Sequence, residues 1–354
     1  MTENKPTAFS TDLHSMAHTL SGHPENNTRL TAVHDLLEAC GVGAHLHPTA
    51  PSRATDDQIR LVHDQRYLDL LYRTEALEGV MLGADTYVLP ESFEAARYAA
   101  GASISALDAI LQREAKNALV AARPPGHHAI ASTGMGFCLL ANVAIAARYA
   151  QAAYPSLIKK VLIVDYDVHH GNGTEAIFYE DPSVYFCSTH QYPWYPGTGA
   201  ARDTGRGAGV GTTLNMPLAA GTGDACFKAL YTEILWPAAR RFGPDLIIIS
   251  AGFDAHWAES PSLGQLRLTL PGYAWLTAQV CQMAAELCGG RVLVVMEGGY
   301  NLKALSNGMT NAARILLGDH DLATIQDPIG PAPRELPADS IAPLIADLKR
   351  IHSL

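Results

Sequence analysis

An α/β fold with a mainly parallel sheet is what this sequence predicts, and three observations carry the prediction. Short apolar runs rich in β-branched residues recur along the chain, alanine-rich segments of helical length lie between them, and ionisable residues collect directly after the runs. Strands buried on both faces of a parallel sheet read as near-continuous apolar runs rather than as alternating ones. A strand-then-helix rhythm is the signature of such a sheet.

Taken in order, Ser92 to Gln112 is an alanine-rich helix candidate, and NALVAA (117–122) is a strand that leads into RPPGHH. Asn142 to Ala153 reads as the next helix, followed by VLIV (161–164) running into DYDVHHGNG. VYFC (184–187) leads to STHQ, and DLIIIS (245–250) leads to AGFDAH. Tyr273 to Cys288 reads as a helix closed by Gly289-Gly290, a C-cap signal. RVLVVM (291–296) then leads to EGGYN. Loops at the carboxyl ends of parallel strands converge on one crevice, so these polar clusters predict a single shared site. The proline-rich DPIGPAPRELP (327–337) reads as an extended segment before a final helix, Ser340 to Ile351. With no long linker, residues 1–354 read as one domain, the tail 327–354 packed on it.

Composition narrows the function classes. A 48% hydrophobic, 17% charged chain buries a substantial core, which excludes disorder. A net charge of -10 and the absence of any Lys/Arg run argue against nucleic acid as a partner. The six cysteines, Cys40, Cys138, Cys187, Cys226, Cys281 and Cys288, are scattered with no Cys-x-x-Cys pair, so neither a disulfide framework nor a zinc knuckle is expected. MTENKPTAFSTDLHSM lacks an apolar signal-peptide core and no apolar run approaches membrane-spanning length, so the expected location is the cytoplasm, with no membrane partner.

The chemistry sits in the loops. Asp167 and His169 are two apart, a spacing that points both side chains the same way in an extended segment, and Asp254 offers a third ligand. Two carboxylates and an imidazole suit a divalent ion and leave room for water and substrate, the arrangement of a catalytic site. His127 and His128 offer a general base and acid, with Asp165 as the nearest carboxylate to hold one imidazole. Tyr300, after Gly298-Gly299, is placed to donate to an oxyanion. These parts read as metal-assisted hydrolysis of an amide.

RPPGHH, GFC (136–138), DYDVHHGNGT, YPGTG (195–199), SAGFDAH and EGGYN stand in an order and spacing that resembles the zinc-dependent histone deacetylase superfamily, which includes acetylpolyamine amidohydrolases. The likeness runs from about residue 14 to about residue 308. It implies an arginase-like three-layer α/β/α fold with a central eight-stranded parallel sheet, and one Zn²⁺ or Fe²⁺. By motif, Asp167, His169 and Asp254 resemble the metal ligands, His128 the general base that later protonates the leaving amine, and His127 its electrostatic partner held by Asp165. Tyr300 resembles the oxyanion donor, and Asn172 follows the class II pattern behind His128. A K⁺ ion is implied near Asp165, Asp167, His169 and Ser188. The acyl-lysine tunnel is implied to be lined by Phe137 and Tyr195 with Gly136 beside the alkyl chain, and Asp85 resembles the rim residue that grips a substrate backbone.

Two departures stand out. LLANVA places Ala141 where the family commonly has a first paired Asn, and WAESPSLGQLRLT follows AGFDAH with a short insertion in the loop expected to form the rim. Glu259 in that loop reads either as a gatekeeper for a cationic polyamine or as a solvated acid. The implied activity is removal of acetyl or acyl groups from N-acyl-lysine of proteins or peptides, with an acetylpolyamine as the alternative substrate; an acidic surface suits either cation. An arginase-type ureohydrolase and a catalytically silent acyl-lysine binding module are the other readings. His14, His18 and His23 have the spacing of a second metal site but read as surface or rim histidines, and GRGAGVGTT (205–213) reads as a flexible turn.

Overall fold

The computed structural model describes residues 5–319 and 321–354. In chain order its strands are β1 Thr7–Thr11, β2 His47–Pro48, β3 Val80–Leu82, β4 Thr86–Val88, β5 Asn117–Ala121, β6 Val161–Asp165, β7 Val184–Gln191, β8 Thr213–Leu218, β9 Leu246–Ala251 and β10 Val292–Met296. Eight of them form one sheet in the order β2-β1-β5-β10-β9-β6-β7-β8. Every adjacent pair in it is parallel, while β3 and β4 form a separate antiparallel hairpin. Helices cover both faces, giving the three-layer, eight-stranded arrangement that the resemblance implies.

The apolar runs are unbroken because each strand feeds two cores. In β6, Leu162 and Val164 join Leu119, Ile247, Ile249 and Val294 on one face, under helices Thr28–Ala39, Leu270–Leu287 and Leu302–Leu317. Val161 and Ile163 join Val120, Ile248 and Leu293 on the other, under Gln65–Thr74, Ser92–Leu111 and Asn142–Ala153. β1 and β8 escape a reading based on apolar runs because TAFST and TLNMPL interleave polar residues. STHQ continues β7 instead of forming a loop, so Ser188 is a buried strand residue. The helix expected from Tyr273 starts at Leu270, where the Thr269 hydroxyl accepts from the Gly272 N–H at 3.1 Å. The last helix spans Ala342–His352, with a 3₁₀ turn at Ala338–Ile341 before it. Ile341, Ile345 and Leu348 bury the tail against the first core. Asp327 Oδ2 accepts from His256 Nε2 at 2.8 Å and from Trp257 Nε1 at 2.9 Å, tying the tail to the loop after β9. None of the described helices is long and apolar enough to cross a membrane.

Topology positions the site. After β5 the chain skips two slots, builds β6, β7 and β8, and fills the gap last with β9 and β10. The carboxyl ends are level, with Asp165 opposite both Ser188 and Ser250 and Met296 opposite Ala251. The loops after β5, β10, β9 and β6 therefore open side by side, at the place where such sheets bind ligands.

A buried ionic knot backs two of these loops. Glu25 accepts from Arg123 Nε at 2.5 Å, Arg123 Nη2 at 2.6 Å and Arg29 Nη1 at 3.0 Å. Arg123 also donates to the carbonyls of Ser15 and His18, each at 2.8 Å. Arg29 donates to the Gly299 carbonyl at 2.8 Å and to that of Glu297. Burial opposes ionisation of Glu25, but Arg123 and then Arg29 outweigh it and hold the carboxyl at about 2 against its ordinary 4.5. The folded value lies below the unfolded one, so this contribution to stability is complete above the ordinary value and is lost as pH falls from there toward about 2. Glu25→Gln leaves two buried guanidinium groups uncompensated. It is expected to cost roughly 3–5 kcal/mol in urea denaturation at neutral pH, and a loss within about 1 kcal/mol would mean the cations find other partners.

Candidate active site and metal centre

β6 ends at Asp165, and the chain then curls instead of staying extended. Asp165 Oδ1 accepts from the Asp167 N–H at 3.0 Å and Asp167 Oδ1 from the His169 N–H at 2.9 Å. The expectation of an extended Asp-x-His segment thus fails, yet these two side-chain-to-backbone turns bring both side chains to the same point. Asp254, after β9, meets them there: one donor atom from each of Asp167, His169 and Asp254 lies within 4.8 Å of the others. Asp254 Oδ1 accepts from the Val168 N–H at 2.9 Å and Asp167 Oδ2 from the Gly298 N–H at 2.9 Å. Gly298 has to be glycine, because a Cβ there would run into both carboxylates.

These donors fit a divalent ion. Asp254 Oδ2 is buried without a hydrogen bond, 3.3 Å from His169 Nδ1. Burial and the charge on Asp167 push Asp254 up to about 6. Asp167 is driven the other way, because His127 and His169 outweigh its burial. The cluster calls for positive charge, and two carboxylate oxygens with one imidazole nitrogen suit Zn²⁺ or Fe²⁺ while leaving coordination positions open. A second cluster, His127, Cys138 and Glu297, has donors equally close. Its groups serve the backbone instead: Glu297 Oε2 accepts from Gly126 N at 2.7 Å and His127 N at 3.2 Å, and Cys138 Sγ accepts from His128 N at 3.4 Å. Burial also pushes the Cys138 thiol well up, which keeps it protonated and a poor ligand.

The adjacent imidazoles are set to opposite charge states. His127 Nδ1 lies 3.0 Å from Asp165 Oδ2. Burial alone would lower this histidine, but Asp167 and Asp165 raise it to about 10, so it is cationic. His128 Nδ1 lies 2.7 Å from Asn172 Oδ1. Burial, reinforced by the charges of His127 and His169, drives His128 well below 6.5, so it is neutral. Because an amide oxygen only accepts, His128 carries its proton on Nδ1 and leaves Nε2 with a free lone pair.

His128, His169 and Tyr300 line a cavity of about 350 Å³ whose lining also includes Asp85, Gly136, Phe137, Trp194, Tyr195 and Leu263. The Phe137 ring meets Tyr300 edge-on at 5.6 Å, and Tyr195 meets His128 edge-on at 5.1 Å. Phe137 holds φ at +68°, a strained left-handed conformation for an aromatic residue, next to Gly136 at +56°. The turn is pinned by Asp85 Oδ1 accepting from Gly136 N at 3.1 Å and by the Thr86 hydroxyl accepting from Phe137 N at 2.9 Å. Burial raises the Tyr300 phenol well above 10, so it keeps its proton.

Residues 23–316 match the family model of the histone deacetylase domain. The chain belongs to the histone deacetylase family. It is 40% identical to histone deacetylase 10, chloroplastic, of Oryza sativa subsp. japonica, over 96% of this chain and 80% of the relative. It is 36% identical to a probable deacetylase of Archaeoglobus fulgidus, over 94% of this chain and 93% of that one. The crystal structure of the HDA15 HD domain superposes with a TM-score of 0.89 at 36% identity, covering 99% of this chain and 94% of that one. The chain is thus a hydrolase of the deacetylase family, and the site just described is its candidate metal centre.

Two sequence expectations for this deacetylase-family site need correction. Glu259 is neither a gatekeeper nor a solvated acid: it is 6% exposed and is absent from the cavity lining, and its carboxylate accepts from the N–H groups of Tyr300 and Asn301. Of the three N-terminal histidines read as surface or rim residues, His18 alone departs from that expectation. His14 is exposed beside Asp12, His18 is buried against Ser92 at 2.6 Å, and His23 packs edge-on against Phe137 at 4.6 Å. Trp194, Ser262 and Leu263 line the cavity without having been singled out, although the loops that carry them were. Trp194 Nε1 donates to the Leu263 carbonyl at 3.0 Å, so the loop after AGFDAH leans on the YPWYP turn. Glu297 was missed because a lone Glu in EGGYN carries no sign of the backbone it serves.

Asp254→Asn keeps an acceptor for Val168 but removes one charge. It is expected to lower bound divalent metal at least roughly tenfold by elemental analysis. In chelator it should raise the melting temperature by relieving carboxylate repulsion, and a fall there would show that the two carboxylates do not oppose one another.

Proposed function

We propose that this chain is a metal-dependent lysine deacylase, removing acetyl or related acyl groups from the side-chain nitrogen of acyl-lysine in proteins or peptides. One observation carries the reading: a single cavity with aromatic and aliphatic walls is lined together by a neutral imidazole, a protonated phenol and His169 of the metal-ligand cluster. Apolar walls suit the methylenes of a lysine side chain and keep water from them. Relatives named as histone deacetylases support the same substrate class.

A divalent ion, Zn²⁺ or Fe²⁺, held by Asp167, His169 and Asp254 would supply Lewis acidity that acidifies water and polarises a carbonyl. His128, neutral with a free Nε2, takes a proton from the attacking water and passes it to the departing amine nitrogen, so a C–O bond forms as the C–N bond breaks. Asn172 holds the tautomer that this requires. His127, kept cationic by Asp167 and Asp165, adds positive charge beside the reacting group. Tyr300 donates its phenolic proton as a hydrogen bond to the oxygen on which negative charge develops. Asp85, partly exposed at the cavity, grips the substrate backbone, and K⁺ near Asp165, Asp167, His169 and Ser188 would serve a structural part.

The acetylpolyamine alternative loses the acid that favoured it, because Glu259 faces the backbone. The ureohydrolase alternative needs a second metal, but His170 is taken up by Thr198 and Glu175. Hydrolysis of an acetyl-lysine peptide and of N-acetylputrescine by the Zn²⁺-loaded protein, measured side by side, is expected to favour the peptide; a preference for the polyamine would overturn the substrate. His128→Ala and Tyr300→Phe are each expected to lower kcat by roughly 10²–10³ with metal content intact, and unchanged rates would remove the roles given to them.

A further inference from the structure

We infer that Glu259 is a positioning residue for Tyr300, a role that rests on the deacylase reading above. Its Oε2 accepts from the Tyr300 N–H at 2.8 Å and the Asn301 N–H at 3.0 Å, and its Oε1 accepts from the Ser260 N–H at 2.8 Å. A carboxylate that is 6% exposed is costly to bury, and among the described residues it forms no ion pair. Three peptide N–H groups compensate it instead, and two of them belong to Tyr300 and the residue after it.

The arrangement clamps one peptide unit from both ends. The Gly299–Tyr300 peptide presents its carbonyl to Arg29 Nε at 2.8 Å and its N–H to Glu259 at 2.8 Å. Oppositely charged groups thus grip opposite sides of one amide plane, and such charge-assisted bonds are the strong ones. The clamp is needed where it stands. Gly299 has φ of +116°, a conformation open to glycine, and with Gly298 before it the chain ahead of Tyr300 lacks the Cβ atoms that would restrict its dihedrals. Turning that amide plane would swing the phenol away from the cavity that Tyr300 lines with His128 and His169. Asn301 closes the loop in return, donating from Nδ2 to the Ala258 carbonyl at 2.8 Å while its Oδ1 caps the helix Leu302–Leu317 through Lys303 and Ala304. Glu259 acts on turnover through where Tyr300 stands, without touching substrate.

The test is a double-mutant cycle on the full-length Zn²⁺-loaded protein with an acetyl-lysine peptide, joined to ¹⁹F NMR of protein carrying 3-fluorotyrosine at position 300. Glu259→Ala is expected to lower kcat roughly 10- to 100-fold, the scale set by misplacing a catalytic group, with KM and metal content nearly unchanged. The same change made in a Tyr300→Phe background is expected to lower kcat by less than about twofold, because the group it places is already gone. The ¹⁹F line of the parent is expected to be single, and that of Glu259→Ala shifted or split. Additive losses, a rise in KM alone, or an unmoved ¹⁹F line would overturn the inference. If Glu259→Ala does not fold, Glu259→Gln, which keeps one acceptor oxygen, enters the same cycle with a smaller loss of the same sign. If the parent hydrolyses no acyl-lysine peptide, the deacylase reading falls, while the ¹⁹F line still decides whether Glu259 places Tyr300.

Discussion

Two carboxylates buried within each other's field, Asp167 and Asp254, are the constraint around which the loops are built. Ionised groups taken out of water and set side by side are intolerable unless positive charge and N–H donors surround them. The chain supplies the N–H groups of His169, Val168 and Gly298 to their oxygens, the cationic His127 beside Asp167, and the imidazole of His169 between the two acids. What those partners leave unmet is the charge of a divalent ion. The glycine pair after β10 is part of the same solution, since a side chain at Gly298 would occupy the space the carboxylates need.

The histidine pair shows how environment divides two identical side chains. They are neighbours in sequence, 4.0 Å apart between ring centroids, and both are buried. One faces a carboxylate and is cationic; the other faces an amide oxygen and a cation and is neutral. Glu297 holds the backbone that carries them, so the turn at RPPGHH, after β5, is set by a group after β10, five strands later in the chain but adjacent across the sheet.

Much of this was legible in the residues. Uninterrupted β-branched runs announced the five strands buried on both faces, and a motif order in which chemistry follows each run announced a shared crevice. β1, β2 and β8 were not legible, because β1 and β8 mix polar with apolar residues and β2 is only two residues long, too short for any pattern to show. Glu259 was misread for a related reason. A carboxylate in a sequence looks like a surface charge or a ligand, and nothing in the letters tells that three peptide N–H groups will surround it. The Glu25–Arg29–Arg123 knot was likewise invisible: Glu25 and Arg29 are four residues apart, but Arg123, 98 positions from Glu25, meets them only in the folded chain.

The bond between Asp327 and the loop after β9 sets the order in which the protein can be completed during synthesis. His256 and its partner are 71 positions apart, so the ribosome delivers every metal ligand, both histidines of the pair and Tyr300 before it delivers the acceptor that the imidazole and the neighbouring indole require. Without that acceptor the loop bearing Asp254 and Glu259 has two ring nitrogens unanswered, that of the buried His256 and that of the half-buried Trp257. The loop that carries a metal-ligand candidate is thus tied down by a residue that follows every motif of the site in the chain, so the tail belongs to the architecture of the centre and not only to its periphery.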